Sequence, residues 1–156
     1  MTVEEKSLFI NEGSFLLLAN LSEHAVPAWG KMDARQMLEH LKDFFDVSSE
    51  KIIFPLTTPE EHLPRYKEFL YSEKQFRENT KAPASVLGDE PIAWRLESFA
   101  DALSQLRESI DNFYQYFENV PGRNTVHPVF GSLTFEEWIM LHYKHVLHHL
   151  KQFNLL

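Results

Sequence analysis

Apolar residues recur along this chain at steps of three and four, which is the spacing of one face of an α-helix. The pattern is longest over 92–117, where alternating steps of four and three predict a long helix that begins near Asp89. Shorter stretches predict helices over 11–22, 33–45 and 134–153. No stretch shows the alternation that predicts a strand. The pattern therefore predicts an all-α protein folded as a four-helix bundle.

Polar residues mark where two of these helices begin. Asp33 with Gln36 and Thr134 with Glu137 are capping boxes, in which two residues three apart exchange side-chain and backbone hydrogen bonds. Residues 51–89 are the least regular part of the chain, although a helical turn is expected at Pro59 and a short helix over 65–71. The length of 156 residues fits one domain, so we expect residues 1–156 to form a single unit.

The amino-acid composition and the net charge argue against several classes of function. The net charge of −8 disfavours a nucleic-acid partner, because an acidic surface repels phosphate groups. No apolar run approaches the ~20 residues of a membrane helix, and the acidic start lacks the basic region of a secretory signal. A cytoplasmic location without membrane attachment is therefore expected. The chain has no cysteine, so any thiol chemistry needs an external thiol.

Five of the eight histidines fall in two short segments: His40, His142, His145, His148 and His149. His145 and His149 are four residues apart on the last helix, so their rings lie one turn apart and can converge on one ion. His40 borders the apolar face of the second helix and is the candidate third ligand. Three imidazoles with remaining positions open to water describe a reactive metal site rather than a closed structural one.

Other interpretations of these histidines remain open at this point. Two histidines four residues apart also occur by chance, and buried histidines usually serve only as hydrogen-bond partners. His142 shares a face with His149 and is therefore a rival to His145 as a ligand. His148 points further round the helix and is expected beside the ligands or at the surface. The remaining three lie in or near predicted loops and are expected to be ordinary: His24, His62 and His127.

Two segments of the chain resemble DinB/YfiT-like proteins. The first is WGKM at 29–32 followed by QMLEHL at 36–41. The second runs from HPVFG at 127–131 to HVLHHLKQF at 145–153. The similarity extends from Pro27 to the C-terminus with a loose match in the middle, and it is to an uncharacterised branch of that superfamily.

The resemblance implies a DinB/YfiT-like four-helix bundle that binds a divalent metal through one histidine of the second helix and two of the last. The matching positions are His40, His145 and His149, with Gln152 and His148 as supporting residues beside them. Imidazole ligands suit zinc and nickel. The resemblance also implies a homodimer, and Met140 and Leu147, which lie opposite the core face of the last helix, agree with one.

Characterised members of the superfamily include thiol-dependent transferases and metal-dependent hydrolases. The resemblance therefore implies a metal-dependent thiol S-transferase or hydrolase that acts on a small electrophilic substrate with an external low-molecular-weight thiol or water. No motif assigns a catalytic residue or a thiol-binding site. The alternative function is a non-catalytic metal-binding or stress-associated helical dimer module.

Overall fold

The structure is a computed structural model that describes residues 1–81, 83–88 and 90–156. In chain order its elements are α1 (Val3–Leu8), a π-helical stretch (Phe9–Gly13), α2 (Ser14–Leu18), α3 (Ala34–Ser48), a 3-10 turn (Glu60–His62), α4 (Leu63–Tyr71), α5 (Ala84–Leu87), α6 (Phe99–Asn119), β1 (Thr125–His127), β2 (Gly131–Leu133) and α7 (Phe135–Gln152). None of the helices within these ranges combines the length and the apolar character needed to span a membrane.

Both predicted capping boxes are present, and each fixes the start of a helix. Asp33 Oδ1 accepts from the backbone N–H of Gln36 at 2.8 Å, and Gln36 Oε1 accepts from the N–H of Asp33 at 3.0 Å. Thr134 and Glu137 make the equivalent pair at 3.1 and 3.0 Å. Because these bonds satisfy backbone donors that a helix start leaves free, they set the first residues of α3 and α7. Local chemistry thus determines the register of both helices that carry the clustered histidines.

The N-terminal helical segment begins earlier than the predicted range of 11–22. It starts at Val3, where Thr2 and Glu5 form a further capping box with bonds of 3.1 and 2.7 Å. The segment continues through the π-helical stretch to Leu18. The apolar spacing identified the second half of this segment and placed its end four residues too late, whereas the first turn, with Glu4 and Glu5 exposed, carries no apolar pattern.

The long helix α6 begins later than the sequence predicts. Its first residue is Phe99, and Ser98 caps it by accepting from the backbone N–H of Asp101 at 3.0 Å. The predicted start at Asp89 lies outside the described residues. Ile92 lies in an irregular segment and is 45% exposed. This segment bonds to side chains of α3 instead of forming a helix, since Gln36 Nε2 donates to the carbonyl of Ile92 at 3.1 Å.

The predicted all-α four-helix bundle is wrong, because the fold combines helices with a β-hairpin. β1 and β2 form a two-stranded antiparallel sheet in which Thr125 pairs with Leu133 and His127 pairs with Gly131. Each strand has only three residues, which is too short to show a recognisable alternation in the sequence. The helical elements also exceed four, since α4 and α5 lie between α3 and α6.

The hairpin joins the ends of two helices in the core. Thr125 Oγ1 donates to the carbonyl of Ser48 at the end of α3, and it accepts from Trp138 Nε1 of α7 at 2.7 Å. Because Thr125 and Trp138 are buried, these bonds satisfy polar groups that would otherwise be costly to bury. The hairpin therefore holds α3 and α7 together at one end.

The largest buried side chains lie where α3, α6 and α7 meet. Phe45 and Phe113 are almost fully buried, and their ring centroids are 5.9 Å apart. The ring of His142 stacks on Phe45 at 3.9 Å and meets Phe113 edge-on at 5.0 Å. This aromatic core fixes the orientation of α7, and with it the direction in which the other histidines of α7 project.

Other residues of the same chain partly cover the apolar residues that lie opposite the core face of α7. Met140 and Leu147 are half-buried. The N-terminal segment lies along this side of α7, where Phe9 packs against Tyr143 at 5.4 Å. The N-terminal segment of the same chain therefore covers part of the apolar surface from which the homodimer was expected. The homodimer stays a prediction.

Candidate metal centre

Three histidine side chains converge at one point between α3 and α7. His145 Nε2 lies 2.9 Å from His40 Nε2 and 3.1 Å from His149 Nε2. All three nitrogens fall within 4.8 Å of one another. His40, His145 and His149 are the set that the sequence analysis selected, and we call them the histidine triad.

Gln152 fixes the ring of His149. Its Oε1 lies 2.7 Å from His149 Nδ1, and its Nε2 donates to the carbonyl of Trp29 at 3.0 Å. A carbonyl oxygen only accepts, so His149 Nδ1 carries the proton and the lone pair of Nε2 faces the triad. This orientation is the one in which a histidine binds a metal. Gln152 was expected to support the ligands, and its contacts are those of such a residue.

Burial keeps the triad neutral. It lowers the pKa of His40 to about 4, with a smaller contribution from His148. Burial also lowers the pKa of His145 and His149 well below the usual value, and the other histidines of the cluster add to this effect. Neutral imidazole is the form that coordinates metals. The three rings are therefore held in the protonation state that binding requires.

The donor set fits a divalent cation. Two imidazoles bound to a tetrahedral zinc have nitrogens about 3.3 Å apart, given Zn–N distances of about 2.0–2.1 Å. Two of the three nitrogen separations, 2.9 and 3.1 Å, lie close to that value, and the third pair lies within 4.8 Å. Since His149 presents a lone pair and not a proton, hydrogen bonds alone satisfy the three facing nitrogens poorly. A shared cation would satisfy all three.

The rival ligand His142 lies apart from the triad. Its Nε2 lies 3.1 Å from the hydroxyl of Ser48, and its ring stacks between Phe45 and Trp138 at 3.9 and 5.2 Å. Burial, with a contribution from His127, lowers its pKa well below the usual value. His142 is thus a hydrogen-bonded core residue, although it was expected to share a helix face with His149.

His148 lies beside the triad without joining it. Its ring centroid is 4.9 Å from that of His149. Burial lowers the pKa of His148, and a backbone hydrogen bond at Phe76 partly offsets this. The sequence analysis expected His148 beside the ligands or at the surface, and it lies next to the triad, almost completely buried.

His127 was expected to be an ordinary loop residue, and it is buried in the hairpin. Its Nδ1 accepts from the backbone N–H groups of Val129 and Phe130 at 3.0 and 3.2 Å. Burial lowers its pKa to about 3. The HPVFG segment is the only sequence signal for this arrangement, because it places an acceptor just before a tight turn.

The buried His127 predicts acid sensitivity. An unfolded histidine gains a proton below about pH 6.5, whereas folded His127 stays neutral down to about pH 3. Stability should therefore fall as the pH drops through this window, and this one residue should account for about 2 kcal/mol between pH 7 and pH 5. Urea unfolding of metal-free protein at both pH values measures the loss.

The matched variant for this test is His127→Asn, because the Asn oxygen can accept the same two backbone bonds without titrating. The variant should lose about 2 kcal/mol less than the parent between pH 7 and pH 5. Equal losses in the two proteins would show that His127 is not responsible.

The triad lies in the wall of a cavity of about 750 Å³. This volume is typical of small-molecule sites, which span ~300–1,000 Å³. Aromatic side chains form much of the lining beside the triad, including Trp29, Phe44 and Phe76. A metal bound by the triad would therefore have its remaining positions directed at a space that can hold a substrate.

Most charged side chains of the cavity are paired with each other. Arg95 binds Asp43 through both terminal nitrogens at 3.2 and 2.6 Å, and its backbone N–H donates to Glu39 at 2.9 Å. Burial raises the pKa of Asp43, and the bond to Arg95 opposes this rise. Lys31 pairs with Glu90 at 2.7 Å where both are well exposed. These pairs connect α3 to the irregular segment before α6.

Comparison with known proteins places the chain in a family without an assigned role. The model of a family described as "Protein of unknown function (DUF1569)" matches residues 67–155, which is more than half of the chain. The matched region contains α7 with His145 and His149, whereas His40 on α3 precedes it. No curated protein and no solved structure matches the chain significantly. The chain belongs to the DUF1569 family.

Proposed function

We propose that this protein binds one divalent metal ion through His40, His145 and His149 and uses it to transform a small electrophilic substrate. The observation that carries the proposal is the close approach of three Nε2 atoms in the wall of a cavity. Zinc and nickel suit three imidazoles. Three protein ligands are the number that catalytic zinc sites use, since a structural site closes with four.

Residues around the triad have roles consistent with such a site. Gln152 holds His149 in the tautomer that leaves Nε2 free. Phe44 packs edge-on against His40 and His145, with ring centroids 5.2 and 5.4 Å away, and keeps water from that side of the rings. A bound metal supplies a Lewis acid and lowers the pKa of a water or thiol that it holds. The chain has no cysteine, so a thiol nucleophile comes from an external molecule.

The reaction class that we propose is thiol S-transfer or hydrolysis. The resemblance of the two histidine segments to DinB/YfiT-like proteins supports this class. The cavity offers room for a substrate and a small nucleophile beside the triad. The protein's own contribution is then to bind both molecules next to the ion and to exclude bulk water.

A non-catalytic metal-binding module is the second candidate. The pairing of Asp43 favours it, because Arg95 holds both oxygens of this carboxylate, and Glu39 is held by the backbone N–H of Arg95 through one oxygen. Both candidates require the metal, and they differ in whether the loaded protein accelerates a reaction.

The experiment combines metal analysis with rate measurements. We expect elemental analysis of the purified protein to give about one zinc or nickel ion per chain, because the site has one set of ligands. The metal-loaded protein should then accelerate either conjugation of glutathione to 1-chloro-2,4-dinitrobenzene or hydrolysis of p-nitrophenyl acetate. Chelator-treated protein, matched in concentration and checked for folding, is the control.

Each outcome distinguishes between the candidates. Acceleration that disappears with the metal and returns on reloading supports the enzyme. Stoichiometric metal with equal rates in the loaded and metal-free proteins supports the non-catalytic module. A protein that binds no ion under any loading condition contradicts both.

A further inference from the structure

One wall of the cavity consists of three consecutive aromatic rings. The rings of Trp29 and Phe76 both contact that of His148, with centroids 5.4 and 5.9 Å away and planes tilted by 58° and 74°. The ring of His148 is 4.9 Å from that of His149, a member of the triad. We call Trp29, His148 and Phe76 the aromatic wall. This wall forms the part of the cavity surface that lies next to the triad.

The outer two rings of this wall keep free surface. Trp29 and Phe76 are half-buried and line the cavity. On the other side of the triad, Phe44 and Phe130 are only 6% and 5% exposed, because they pack against His127. Concave apolar surface that the protein does not cover itself is where an apolar ligand gains most from leaving water.

Most ionic groups of the cavity lie elsewhere and have partners. Arg95 is held by Asp43 and Glu39 on α3. Lys31 and Glu90 pair at the solvent-exposed mouth, and Lys81 also acts on Glu90. A charged ligand at Arg95 or Lys31 would compete with these carboxylates, whereas a neutral ring would displace only water from the aromatic wall.

We infer that the substrate of this site carries a flat aromatic ring, which stacks on the aromatic wall while its reacting group reaches the triad. This inference rests on the proposed function. Because His148 of the wall contacts His149, the reacting group lies close to the ring that carries it. Ring stacking favours an aromatic substrate over a saturated ring of similar size, since aromatic pairs gain beyond the area they bury.

Three hydroxamic acids test this inference, because a hydroxamate is a strong ligand for divalent metals and the attached group can be varied. The probes are acetohydroxamate, cyclohexanecarbohydroxamate and benzohydroxamate, titrated calorimetrically into zinc-loaded protein. We expect benzohydroxamate to bind about 10-fold or more tightly than acetohydroxamate, and also more tightly than the cyclohexane analogue.

Leucine variants test whether the aromatic wall causes the preference for benzohydroxamate. Trp29→Leu and Phe76→Leu keep an apolar side chain but remove the ring, and each should reduce the preference for benzohydroxamate severalfold. Trp94→Leu is the matched control, because Trp94 is 55% exposed and does not line the cavity. It should leave the preference unchanged. The backbone carbonyl of Trp29 that binds Gln152 is retained in Trp29→Leu.

The results separate this inference from the proposed function. If zinc binds but the affinity for benzohydroxamate is less than about threefold higher than that for acetohydroxamate, the aromatic substrate is ruled out and the proposed metal site is retained. Loss of zinc from both Trp29→Leu and Phe76→Leu would also overturn the inference, since the rings would then support the triad and not a ligand.

If the protein binds no metal, the proposed function fails and the wall is tested in the metal-free protein. The probe is then N-phenyl-1-naphthylamine, a neutral aromatic dye that fluoresces in apolar surroundings. Fluorescence that Phe76→Leu removes and Trp94→Leu retains supports an aromatic-binding cavity. Equal fluorescence in both variants overturns it.

Discussion

Replacing His40, His145 or His149 by Ala is expected to release most of the bound metal. Each variant removes one of three ligands whose nitrogens lie within 4.8 Å of each other. If ligands share a total binding free energy of about 10–16 kcal/mol equally, losing one weakens binding on the order of 1,000-fold. Elemental analysis after dialysis against a weak chelator should show the ion lost from all three variants.

The same substitution elsewhere on α7 provides the controls. His142→Ala should keep the metal, because His142 bonds to Ser48 and stacks in the core. His148→Ala should weaken binding by about 10–100-fold at most, through its contact with the ring of His149. The ligand assignment is wrong if His142→Ala loses the ion while His145→Ala retains it. Retention in all five variants would place the metal elsewhere.

Removing or displacing the Gln152 side chain is expected to weaken metal binding by about 10–100-fold, because a residue that hydrogen-bonds to a metal ligand orients that ligand. Gln152→Leu removes the acceptor for His149 Nδ1–H, so the ring loses its fixed tautomer. Gly30→Ala should act in the same direction, because a Cβ at this position would lie 3.0 Å from Gln152 Nε2. A competition titration with a chromophoric chelator measures both affinities.

Gly122→Ala is the matched control for Gly30→Ala. Gly122 has φ +79, nearly the +78 of Gly30, and nothing lies within 4 Å of a Cβ built there. Both substitutions therefore strain the backbone similarly, and only Gly30→Ala presses on Gln152. An equal loss of affinity in the two variants would attribute the effect to general destabilisation. Unchanged affinity in Gln152→Leu would remove Gln152 from the site.

The parts of the site that follow from local sequence were predictable. A histidine pair four residues apart on a capped helix has its geometry fixed by the helix, so spacing made His145 and His149 a candidate pair, and the resemblance selected His145 over His142. His40 could be placed only on the edge of an apolar face, and its choice as third ligand depended on the resemblance as well. Its position relative to α7 is set by packing between helices, which spacing does not encode.

The parts that depend on tertiary contacts were not predictable. The hairpin consists of strands too short for a pattern, and hydrogen bonds to α3 and α7 stabilise it. Residues 92–98 carry helical spacing, yet their backbone groups bond to side chains of α3. Trp29 and Phe76 come from irregular segments, so no periodicity indicates that they meet at His148.

The separation of His40 and His145 along the chain has a consequence for folding. These residues are 105 positions apart, although their Nε2 atoms are 2.9 Å apart. His145 and His149 come close to each other as soon as α7 forms. His40 joins them only when α3 packs against α7, which requires a long loop of the chain to close. An ion held by all three acts as a reversible cross-link between the first and last thirds of the protein. Its occupancy then stabilises the whole fold as well as the site.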